Sequence, residues 1–188
     1  MASGDSKSQA ALGFLTVLEH EQGLTGGYLV LNLLGRPLEF HCTAPVKPNR
    51  AQQILFGPTL QPYLFGEQIG QTLISKGANE PLLVFTDLVA ALSVRDFVSS
   101  PVALVVTTAA PESSAAEPTQ TTWRVDAAHS LDKLTQFHVG ANRLAVPAGR
   151  DGDRSEILAR LESFPPFDFV EPFGRIREAV EEAHRSGK

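Results

Sequence analysis

The chain has 188 residues, 16 basic and 21 acidic side chains, a formal net charge of −5 and one cysteine. One cysteine rules out an internal disulfide or a multi-cysteine zinc site. The acidic balance gives no basic excess to neutralise phosphates, so no nucleic-acid partner is expected. No apolar run approaches the 18 residues of a membrane span, so no membrane partner is expected either. The first eleven residues are polar and small without an apolar signal core, so a cytoplasmic setting is the expectation.

Composition divides the chain into four stretches. Residues 1–11 read as a flexible lead, and residues 12–108 as an α+β core dense in Leu, Val, Phe and Gly. Residues 109–122 carry no large apolar side chain and read as an exposed linker or loop. Residues 123–188 hold the only tryptophan, Trp123, and read as a C-terminal extension docked on the core, ending in a helix.

Three short apolar segments open the core, at 14–18, 27–32 and 37–43, punctuated by Gly23 to Gly27 and by Leu34-Gly35-Arg36-Pro37. They predict a β-meander. Next, Asn49 follows Pro48, with Gln52 three residues on. That spacing predicts a capping box and a helix start. Pro58 and Pro62 each remove an amide donor, so the helix should break or restart there. Phe65, Ile69 and Leu73 continue it as an apolar stripe that ends near Gly77. Gly66 and Gly70, one turn apart, bare a flat strip suited to close packing. The continuous apolar runs at 81–86 and 101–108 predict buried strands, with Asp87 capping a brief helix between them. Further on, Asp153 and Glu156 repeat the capping logic. The last helix begins near Pro172, with Phe173, Ile176, Val180 and Ala183 as its buried stripe.

The fold class these elements imply is α+β: a mainly antiparallel sheet of about five strands, with a proline-broken helix packed on it and a C-terminal helical extension. A meander, a long helix and then more strands is an order that resembles longin- and roadblock-like modules in outline.

Few side chains form a chemical pattern. On a strand at 37–43, Cys42 shares a face with Leu38 and Phe40. It is therefore expected in the core as an inert thiol, out of reach of His41 on the opposite face. Glu39 and His41 share the other face, as a surface pair or as an acid–base pair lining a cleft. The histidines at 20, 41, 129, 138 and 184 show no metal-ligand spacing, and Asp151-Gly152-Asp153 lacks the glycine a calcium loop needs. No glycine-rich phosphate loop occurs, so neither a metal nor another cofactor is expected. The stretch 45–70 is rich in Pro, Gln and aromatic residues and suits a binding surface, with Arg50, Tyr63 and Glu67 as its candidate ligand-binding side chains.

The leading expectation is a non-enzymatic protein-interaction module that binds another protein or itself. The alternative is a small-ligand binder or enzyme with a cleft near Glu39, His41 and Arg50. A metal-dependent protein using His20, His41 or His129 ranks last.

Overall fold

The computed structural model describes residues 10–107 and 133–186. The expected linker at 109–122, Trp123, His129 and the first nine residues of the lead lie outside the described residues.

The three opening segments form the expected meander: β1 (Ala11–His20), β2 (Gly23–Asn32) and β3 (Pro37–Cys42), paired antiparallel. Asn49 then caps α1 (Arg50–Phe56) as its neighbours predict. Its side chain accepts from the Gln52 amide at 2.9 Å, and Gln52 accepts from the Asn49 amide at 3.0 Å. Gly57 and Pro58 end that helix in a single 3₁₀ turn, Gly57–Thr59. The chain restarts as α2 (Leu60–Pro62), widens into π-helical turns over Tyr63–Gln71 and closes as α3 (Thr72–Lys76).

The helical stretch crosses one face of the sheet and returns the chain beside β1 rather than beside β3. β4 (Leu83–Thr86) therefore runs parallel to β1. A 3₁₀ segment, Val89–Asp96, makes a second crossover, and β5 (Val102–Val105) lies parallel to β4. Both strands are buried along their whole length, which is why each reads as a continuous apolar run.

The expectation of about five mainly antiparallel strands is corrected here. Among the described residues the sheet has seven strands in the order β3-β2-β1-β4-β5-β7-β6 and is mixed, with two parallel pairings at its centre. The added strands are β6 (Leu134–Val139) and β7 (Asn142–Pro147), a hairpin turned at Gly140, where φ is +57°. They extend the sheet past β5. Two helices follow, α4 (Asp151–Leu161) and α5 (Glu171–Ser186).

Strand alternation sorts the core into two layers. Leu15, Tyr28, Val30 and Val84 face the broken helix, where Leu64, Ile69 and Leu73 meet them. Leu12, Phe14, Leu29 and Phe85 face the other way, against Ile157 of α4 and Phe173, Ile176 and Val180 of α5. Gly66 and Gly70 do serve close packing: a Cβ on Gly66 would lie 2.0 Å from Ser93 Oγ, and one on Gly70 2.9 Å from a Leu15 methyl. Two caps read from sequence do other work. Asp153 makes a two-point ion pair with Arg95 at 2.8 and 2.9 Å, and Asp87 turns toward Arg177 instead of capping the segment after β4.

Candidate functional site

Glu39 and His41 come together as their spacing requires, with His41 Nε2 3.2 Å from Glu39 Oε2. Glu39 has further partners. Its oxygens accept from the backbone amides of Ala78 and Asn79, each at 2.9 Å, which ties edge strand β3 to the turn after α3. Burial works against its ionisation. The two amides and His41 outweigh that and hold its carboxyl below the ordinary value. The carboxylate is thus occupied as a clamp.

The other candidates from the sequence stand apart from this pair. Arg50 is exposed at the start of α1, 3.5 Å from Gln53 Oε1. Tyr63 stacks on Phe56 with ring centroids 4.1 Å apart, and Glu67 is exposed on the π-helical turns.

A cleft does form at β3, on the opposite face of the strand. It has a volume of about 560 Å³, within the usual range of about 300–1,000 Å³ for ligand sites. Its floor is the end of the sheet: His20 from β1, Thr25 from β2, and Cys42 and Thr43 at the end of β3. One side is the turn Glu21-Gln22, and the other is the last turn of α5, with Ala183, His184 and Arg185.

Three of the lining side chains are placed by simple periodicity. His20 extends the β1 series Leu12, Phe14, Thr16 and Leu18, which faces α5. Thr25 extends the β2 series Leu31, Leu29 and Gly27 on that same face. His184 lies four residues after Val180, so it continues the buried stripe of α5, while Ala183, expected in that stripe, is exposed. Cys42 is exposed as well, which corrects its expected core position. β3 is the sheet edge, and α5 packs over β1 and β2 without reaching it.

Within the cleft, Thr25 Oγ1 and His184 Nε2 share a hydrogen bond of 3.0 Å. The His20 and His184 rings are in contact, centroids 4.7 Å apart and tilted by 45°. His20 Nε2 is buried with no hydrogen-bond partner. Thr43 Oγ1 accepts from the Gly26 amide at 3.0 Å, which fixes the chain as it leaves β3.

A second polar group lies under α5. Asp87, just past β4, is almost fully covered and ion-paired with the half-exposed Arg177. Burial raises its carboxyl above the ordinary value, offset in part by the Thr16 hydroxyl and by Arg177. Among the described residues, no three His, Cys, Asp or Glu side chains converge as a metal-ligand set.

No family model and no curated protein matches the chain. Among solved structures, the chain is similar to endonuclease V of Ciona intestinalis in complex with a 23mer DNA containing an inosine followed by a ribo-adenosine. The identity is 11%, over 95% of this chain and 86% of that one, with a TM-score of 0.47. A second structure of that endonuclease, in complex with a 24mer DNA, gives 10% identity over 93% and 87%, with a TM-score of 0.46.

These findings correct two expectations, the non-enzymatic protein-interaction module and the exclusion of nucleic acid. Both rested on missing sequence patterns, and the solved chains of comparable outline are a DNA-bound nuclease. At TM-scores below 0.5 the likeness transfers no residue role, ligand or reaction to this chain.

Proposed function

We propose that the protein binds a small anionic ligand, one bearing a carboxylate or phosphate group, in the cleft between the end of the sheet and the last turn of α5. One observation carries this reading. His20, His184, Arg185 and Gln22 line a ligand-sized space in which Glu21 is the one lining carboxylate among the described residues. Such donors make charge-assisted hydrogen bonds to an anion. A cytoplasmic setting accompanies the proposal, since a single exposed, unpaired cysteine suits a reducing compartment.

Calorimetric titration of the full chain with inorganic phosphate and with succinate tests the reading. Replacing His184 by Ala should weaken binding about tenfold or more, the size of one hydrogen bond to a charged group. Binding that survives that change but is lost on Arg50→Ala would move the site back to the helical stretch. No binding of either anion at millimolar concentration would end the proposal.

A further inference from the structure

We infer that the His20–His184 contact is a proton-operated latch on the last turn of α5. That turn is held differently from the rest of the helix. Phe173, Ile176 and Val180 are fully buried against the sheet, whereas residues 183, 185 and 186 are exposed. His184 is left as the attachment, through its bond to Thr25 Oγ1 at 3.0 Å and its ring contact with His20 at 4.7 Å.

The charge state of the two rings decides whether that attachment holds. One positive charge on the pair is accommodated, because the Glu21 carboxylate lines the same space. A second proton sets two like charges in ring contact, and it charges an imidazole whose Nε2 has neither solvent nor partner. The other groups facing the pair do not relieve this. Arg185, from α5, adds a third positive charge, 3.5 Å from Glu182. Cys42 faces it from β3, and Glu21 from the β1–β2 turn is already matched by the first proton. Glu19, next to His20, has interactions of its own. The relief open to the pair is separation of the rings, which frees residues 183–186 and widens the cleft at its α5 side. The latch is read from the geometry of the protein alone, so it stands or falls independently of anion binding.

Hydrogen exchange of the full chain between pH 8 and pH 5, corrected for the intrinsic pH dependence of exchange, tests this. Protection of the amides at 183–186 should fall about tenfold or more at the acid end while that at 173–180 holds. His20→Phe keeps a ring in place and cannot take a proton, so its protection at 183–186 should be flat over the same range. His20→Asn, a smaller neutral change, should be flat as well, and far-UV circular dichroism verifies that each variant folds. Unchanged protection in the native chain, or an equal fall in both variants, would overturn the latch.

Discussion

Glu39 and Asp87 are both largely covered carboxylates, and the protein treats them in opposite ways. Glu39 receives two backbone amides and His41, which lower its pKa from the ordinary 4.5. Its stabilisation is present above that value and is lost as pH falls through the lower folded value. Asp87 is dominated by desolvation, which raises its pKa from the ordinary 3.8. Its contribution is most favourable below that value and is lost as pH rises through the higher folded value. Glu39→Gln should therefore cost about 1–2 kcal/mol at pH 7 and progressively less in acid. Asp87→Asn should be neutral or stabilising at pH 7, and that advantage should shrink in acid. Urea unfolding of both variants at pH 7 and pH 4 measures the two slopes, and slopes of the same sign would contradict the assignment. The Glu39–His41 pair was legible from its i, i+2 spacing. The two backbone amides that occupy Glu39 were not, because they arrive from about 40 residues away.

At the scale of elements, two adjacent glycines in β2 set how closely the layers approach. A Cβ on Gly26 would lie 2.1 Å from an Ile69 methyl on the helical side, and one on Gly27 2.3 Å from an Ile176 methyl of α5. Either glycine replaced by alanine forces a helix off the sheet, at a cost of about 1–3 kcal/mol. Thermal melts should show both losses, but only Gly27→Ala should also weaken the cleft, since it displaces α5. Equal effects of the two on anion binding would count against that division. Elements whose signal is local were readable: the Asn49–Gln52 capping box, the proline breaks, the meander, and the fully buried β4 and β5. Strand direction was not, since it depends on where the helical crossover sets the chain down. The β6–β7 hairpin was missed although two short alternating runs flank Gly140. Its polar residues (Gln136, His138, Asn142 and Arg143) diluted the apolar pattern. The cleft was missed for a related reason. Its side chains continue the series that build the core, and only their position at the ends of β1, β2 and α5 makes them polar and accessible.

For the molecule as a whole, the decisive relation is that one sheet is built from both sides of residues 108–132. Residues 10–107 supply five strands and the helical layer on one face. Residues 133–186 supply the other two strands and the helices that cover the opposite face. Without the second part, Leu12, Phe14, Leu29, Leu31, Leu83 and Phe85 would face water together, and β5 would become an open edge. The Arg95–Asp153 pair would lose its acidic partner, and Asp87 its cation. A chain ending at residue 107 is therefore expected to lack cooperative unfolding, to bind a hydrophobic dye and to aggregate, even though its five strands and broken helix are all encoded within it. Adding residues 133–188 as a separate chain should restore a cooperative melt, because the missing layer is supplied by contacts rather than by chain continuity. Calorimetry of the fragment alone and of the mixture decides the point. A sharp transition from residues 1–107 alone would mean that the meander and its helical layer are self-sufficient, and that α4 and α5 are an addition to a finished fold rather than half of its core.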